Sequence, residues 1–227
     1  MALPYKVHTI NIMKDEQFAP SFLEISPNNK IPAIVDHETG VSMMESGAIL
    51  YYLATKTDKF LPKDPQHHWQ AIEWLNWQMG GFGPMLGQAN HFLKFNPGKS
   101  DYAEERFGNE AKRLYGVLDK QLEGRDFVAG EYSIADMAIW PWAARWEWQK
   151  IDMDTLPNVK RWYHTIAARP AVQKAYSVPT GGQAITAPLN ILILTDGKMG
   201  DLMQCRGVAQ AITDGALAGF DDRDKPP

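Results

Sequence analysis

Cysteine is nearly absent from this chain of 227 residues, and the one copy is Cys205. An internal disulfide is therefore impossible, which fits a reducing compartment, with the cytosol the expected one. Basic residues form no stripe, and the formal net charge is −4 with both signs mixed throughout. That argues against a nucleic-acid partner. No apolar run is long enough to span a bilayer, so no membrane partner is expected, and the first residues do not read as a signal peptide. Metal-ligand spacing is missing too. His67 and His68 are adjacent at a helix start, a poor geometry for one ion, and read as a solvated pair. What remains is a globular chain long enough for two domains with a real core, its eight tryptophans falling mostly in helical segments.

Residues 6–12 alternate polar and apolar side chains and predict a strand. Residues 14–25 predict a short helix with Phe18, Phe22 and Ile25 inward. Residues 33–35 and 41–43 predict a hairpin turning at His37 to Gly40, and residues 45–54 a helix. Proline and charge at residues 58–65 mark a linker. Beyond it, residues 66–79 read as a tryptophan-rich helix broken or kinked at Gly80 to Pro84, with residues 85–95 continuing. A long helix over residues 100–122 carries the stripe Phe107, Ala111, Leu114, Leu118 and Leu122. Ser133 and Asp136 form a capping box, with aspartate in place of glutamate, that opens a helix running on to Trp148 despite Pro141. Two more helices cover residues 157–168 and 170–176. After a linker at residues 178–188, Asn190-Ile191-Leu192-Ile193-Leu194-Thr195 reads as a buried strand, residues 196–201 as a turn and residues 202–212 as a helix.

The chemistry concentrates at Ser26-Pro27-Asn28-Asn29-Lys30-Ile31-Pro32-Ala33-Ile34-Val35 and Glu45-Ser46-Gly47-Ala48-Ile49-Leu50. Pro32 either begins an edge strand or holds a cis peptide bond; the second reading leaves Ile31 backbone groups open to an extended peptide. Ser46, at a helix start, faces free N–H groups and the positive end of the dipole, a carboxylate site. Glu45 beside it suits an ammonium group. One end of an amino-acid-like ligand carries both groups. Taken singly, Ser46 is a plain helix cap and Pro32 a turn proline.

In this order the two stretches resemble the glutathione-binding half-site of glutathione S-transferases. The words SPNNKIPAIVD and ESGAILYYLA look like the bacterial nu-class, or disulfide-bond-reductase, branch, and the pattern continues to about Tyr176. The resemblance implies an α/β plus all-α protein. Residues 1–57 would be a thioredoxin-like glutathione-binding domain and residues 66–177 an all-helical transferase domain. The family's first strand and first helix have no counterpart before residue 6, so the expectation is a chain truncated at its start. Its sheet would lack its middle and have two unpaired edges. Residues 189–213 look like an appended strand-loop-helix fragment, similar to the opening of a mitochondrial-fission-type family. The alternatives are an unrelated tail or a strand that fills the vacant sheet position.

The same resemblance implies glutathione as substrate or redox cofactor, small thiols or disulfides as partners, and a homodimer. Ile31, next to Pro32, would pair with the cysteinyl backbone, Glu45 and Ser46 would hold the γ-glutamyl end, and Gln17 would touch the tripeptide. Lys30 would meet the glycyl carboxylate or stay solvated. Arg106 would aim a bidentate fork at the ligand or sit in a surface ion pair. The thiol activator is expected upstream of Met1; Tyr5 is better read as structural. Gln88, Asn90 and His91 fall where a co-substrate pocket would open, whereas Trp140, Trp142, Trp146 and Trp148 read as core and pocket wall. Cys205 has no redox partner, and the Asp196 to Asp201 turn, with its two aspartates, reads as a plain turn. Two functions follow. The chain is a glutathione-dependent transferase or disulfide-bond oxidoreductase, or it is a non-catalytic glutathione-binding or interaction module.

Overall fold

The computed structural model describes residue 1, residues 3–176 and residues 191–195. Along them run β1 (Tyr5–Thr9), α1 (Pro20–Leu23), β2 (Ala33–Asp36), β3 (Val41–Met44) and α2 (Ser46–Thr57). The helices α3 (Pro65–Trp77), α4 (Gly83–Asn90), α5 (Asp101–Gln121), α6 (Ile134–Ala143), α7 (Pro157–Ala167) and α8 (Pro170–Tyr176) follow, and then β4 (Ile191–Thr195). Two compact units result. One holds the described residues up to Lys59 and from Arg169 onward; the other is Phe60–Ala168.

The first unit is built on a four-stranded sheet in the order β1-β4-β2-β3. The hairpin β2–β3 pairs antiparallel, Ala33 with Met44 through Asp36 with Val41. The expectation of a sheet without its middle is corrected here. β4 lies parallel to β1, Tyr5 with Ile191 through Thr9 with Thr195, and antiparallel to β2, Ala33 with Leu194 through Asp36 with Ile191. The physical reason is in its composition: an unbroken run of isoleucine and leucine suits a strand with a neighbour on each side. The helix, turn and cysteine expected over residues 196–212 lie outside the described residues, as does the linker at 178–188.

Helix α2 covers the hairpin with Ile49, Leu50, Leu53 and Ala54, each at most 1% exposed. Their spacing puts them on one stripe, and burial of each large aliphatic stabilises by about 1.5–3 kcal/mol. The helix predicted over residues 14–25 does not form in one piece. The Asn11 side chain accepts the Met13 N–H at 3.0 Å, starting a 3-10 turn, and Asp15 ends it at φ 58°. A second 3-10 turn follows, then Ala19 goes extended ahead of Pro20. Phe22 is buried and packs in a cluster with Ile31 and Ala33, but Phe18, expected inward, is 53% exposed.

The helical unit opens with Asp64, whose carboxylate accepts the His67 N–H at 3.0 Å ahead of Pro65 in the first turn. Where a break or kink is expected at Gly80 to Pro84, the chain makes a widened π turn, Gln78–Phe82, from which α4 continues; a second π turn, His91–Phe95, ends it. An extra residue in a turn lets the helix absorb Pro84 without stopping. Gly83 is there because space is short: a Cβ on it would lie 2.4 Å from Gln78 Nε2 and 3.2 Å from Trp142 Cε2. Gly83→Ala is expected to lower the urea midpoint, with a cost of about 1–2 kcal/mol and an unchanged slope. An unaltered midpoint would show that Gln78 yields freely.

The capping box at Ser133 and Asp136 forms as predicted. Helix α6 ends at Ala143 instead of running to Trp148. Its last carbonyls find side-chain donors: Tyr115 Oη donates to Ala143 O at 3.2 Å, and Gln149 Nε2 to Trp142 O at 3.3 Å. With those groups satisfied, the chain turns away over residues 144–150.

Candidate functional site

In the first unit, Lys30, Ile31, Pro32, Met44, Glu45 and Ser46 line one recess of about 20 Å³. That is a shallow notch, about the space of one water molecule, so a ligand would lie along the surface with only a small group entering. The turn leading in is locked by its own polar groups. Ser26, fully buried, donates to Lys30 O at 2.7 Å, and the Asn29 N–H reaches Ser26 O at 2.9 Å with Asn29 at φ 48°. The Ile31–Pro32 peptide bond is cis.

Across the recess, Glu45 stands at φ 71° and ψ 112°, outside the helix, and its carbonyl accepts the Ile49 N–H at 2.9 Å. Glu45 is therefore the N-cap, and Ser46, expected there as a cap, is the first helical residue, 2% exposed. Helix α2 begins at this point, with no acidic residue in its first turn to compete with an incoming anion. Glu45 is exposed at the rim and so is Lys30. Charges of both signs thus flank a helix N-terminus, an arrangement suited to a zwitterionic amino-acid end group.

At the other end of β2 from the recess, β2 and α2 are tied together at Asp36. Its carboxylate is fully buried and accepts from Tyr52 Oη at 2.5 Å, Lys56 Nζ at 2.5 Å and the Glu38 N–H at 3.0 Å. Burial pulls its pKa upward, but the bonds from Lys56, Tyr52 and Glu38 and the Lys56 charge overcome this and hold it at about 2. Glu38 adds a second carboxylate to Lys56 at 2.8 Å. Nothing in the sequence reading pointed to this cluster. The signal available was Tyr52 and Lys56, four residues apart on one face of α2 and polar where the stripe is apolar.

The remaining predicted residues stand elsewhere. Gln17 lies in the second 3-10 turn of the first unit, with its Oε1 buried and without a hydrogen-bond partner. Arg106 is exposed on α5 of the helical unit. Tyr5 opens β1 opposite Ile191, and burial raises its phenol pKa. Gln88 and His91 are exposed, while Asn90 is buried with its Oδ1 unpaired. His67 bonds Asp64 at 2.8 Å and His68 bonds Pro62 O at 3.1 Å. Among the described residues no group of three or more side chains is placed to hold a metal, and no helix is long and apolar enough to cross a membrane.

Residues 1–55 match the family "Glutathione S-transferase, N-terminal domain", and residues 82–170 match "Glutathione S-transferase, C-terminal domain". The disulfide-bond oxidoreductase YfcG of Escherichia coli (strain K12) is 49% identical over 179 residues, 76% of this chain and 83% of that protein. A solved glutathione transferase from Burkholderia graminis, with two glutathione molecules bound per subunit, is 40% identical with a TM-score of 0.73, covering 79% of this chain and 80% of its own. Another from Pseudomonas putida, with one glutathione disulfide bound per subunit, is 42% identical with a TM-score of 0.74, covering 78% and 82%.

Proposed function

Because this chain belongs to the glutathione S-transferase family, we propose that it is a glutathione-dependent disulfide-bond oxidoreductase with transferase character. It acts on small thiols and disulfides. The observation that carries the reading is the recess itself. Glu45 and Ser46, at the N-terminus of α2, line the same recess as Lys30, Ile31 and Pro32. In this reading Glu45 takes the ammonium of the γ-glutamyl unit, and Ser46 with the first-turn N–H groups takes its carboxylate. The Ile31 backbone runs beside the cysteinyl unit, Lys30 meets the far carboxylate, and Gln17 contacts the tripeptide.

Glutathione supplies the thiol, since the chain's one cysteine is Cys205. A glutathione thiolate attacks one sulfur of the substrate disulfide; a new S–S bond forms as the old one breaks, and the first substrate thiol departs with a proton. A second glutathione thiolate then attacks the glutathione sulfur of the mixed disulfide, releasing glutathione disulfide and the second substrate thiol. Two glutathiones are oxidised and one disulfide is reduced. The relatives solved with two glutathiones, or with their disulfide, support this stoichiometry for the present chain. A homodimer and a cytoplasmic setting belong to the same reading, and sedimentation at micromolar concentration tests the first.

Turnover of a small symmetric disulfide with glutathione, followed beside titration calorimetry, tests the site. Ser46→Ala is expected to raise the glutathione Kd about ten-fold, equivalent to ~1.4 kcal/mol. Glu45→Gln should do at least as much, because an ammonium loses its only charged partner at the rim. Unchanged affinity in both variants would remove the assignment. Retention of glutathione without turnover by the wild-type chain would favour a binding module instead.

A further inference from the structure

We infer that the seating of Ile191–Thr195 between β1 and β2 and the binding of glutathione at Lys30 to Ser46 form one linked equilibrium, so that β4 acts as the latch of the grip. The inference rests on the site reading above and adds to it a controlling element far away in sequence. Two observations carry it.

First, among the described residues β4 is the strand that joins β1 to the β2–β3 hairpin, in the order β1-β4-β2-β3. Withdrawing it splits the sheet into a lone strand and a lone hairpin, neither of which holds together well in water. Second, the β4 ladder reaches the very start of β2. Leu194 pairs with Ala33, the residue after Pro32, so the end of β4 lies alongside the wall of the recess. Ala33, Ile34 and Asp36 are fully buried, and any of their backbone groups that loses its ladder partner there does so at a cost.

A ligand that binds only the seated form must stabilise that form. At glutathione one hundred times its Kd, the seated state is favoured by about a further hundred-fold.

Hydrogen exchange on the full chain reads this link directly. β1 contributes no residue to the recess, so ligand contact cannot shield it. At saturating glutathione, exchange at Tyr5–Thr9 and Ala33–Asp36 is expected to slow together, by up to about 100-fold. Amides in the middle of α5 should not change. Slowing confined to residues 31–46 would overturn the link.

Ile193→Pro removes one ladder N–H from the centre of β4. It is expected to raise the glutathione Kd at least ten-fold and to speed exchange in β1, whereas Ile193→Val keeps both near wild type. All eight tryptophans lie between Trp69 and Trp162, in the helical unit, so unchanged tryptophan emission certifies that the proline variant has folded there. A proline variant that binds glutathione as the wild type does sinks the link and leaves the site reading standing. A wild-type chain that binds no glutathione sinks both.

Discussion

Asp136→Ala will destabilise the helical unit by about 4 kcal/mol, enough to remove a large part of an ordinary domain's stability. The Asp136 carboxylate is fully buried and accepts the Ser133 N–H at 3.0 Å, Ser133 Oγ at 3.3 Å, the Val128 N–H at 3.1 Å and Trp162 Nε1 at 2.8 Å. Alanine leaves those donors unpaired in the interior, each at a cost of about 1–3 kcal/mol before relaxation. One side chain thereby caps α6, pins the loop at Val128 and orients the largest buried side chain of α7. Ser133→Ala loses the cap alone and is expected to cost ~1 kcal/mol. Urea unfolding followed by tryptophan emission measures both. Equal costs for the two variants would mean that Asp136 does no more than cap.

The pH dependence of this group has a definite sign. Burial pushes the Asp136 carboxyl up to about 6, against the pull of Trp162, Val128 and Ser133 toward the anion. A raised folded pKa means that its stabilising contribution is complete below the unfolded value near 4 and is lost as pH rises through about 6. Asp136→Asn should flatten that part of the stability profile.

Asp36 produces the opposite response in the first unit. Its pKa is held at about 2, so its contribution is present above the unfolded value near 4 and disappears as pH falls through about 2. The expected stake is on the order of 2 kcal/mol at neutral pH. Asp36→Ala should cost about 3 kcal/mol, because Lys56 and Tyr52 lose their buried acceptor. The same change should weaken glutathione binding, since Asp36 fixes β2 against α2 and those two elements carry Pro32 and Ser46 at their leading ends. Hydrogen exchange in α2 and calorimetry with glutathione check the two halves. Acid loosening the helical unit before the first unit would contradict the assignment of both aspartates.

Local signals were legible where neighbours in sequence settle the structure. The Ser133 and Asp136 box, the hairpin around Gly40, and the pairing of Glu45 and Ser46 with the run at Lys30 to Pro32 all lie within a few turns of chain. What escaped depended on distant partners or on backbone exceptions. Asp15 at φ 58° and Pro20 divide a stretch whose Phe18, Phe22 and Ile25 keep helical spacing. Helix α6 stops at Ala143 because Tyr115, twenty-eight residues earlier, supplies a donor. The Asp36 cluster needed the fold to bring Tyr52 and Lys56 to a strand end. The strand at residues 191–195 was readable as a strand, but its place required knowing which edges were open.

That place has a consequence for how the protein is made. Tyr5 pairs with Ile191, about 186 residues later in the chain. Polypeptides leave the ribosome amino end first, and domains fold as they emerge. The helical unit is complete in sequence by Ala168, while β1 and the hairpin still wait for the neighbour they share. During that interval two strand edges stand open to other nascent chains, the hazard that chaperones meet in slow long-range pairings. In biosynthesis, then, the sheet beside the recess closes after the helical unit is complete, although three of its four strands precede that unit in the chain.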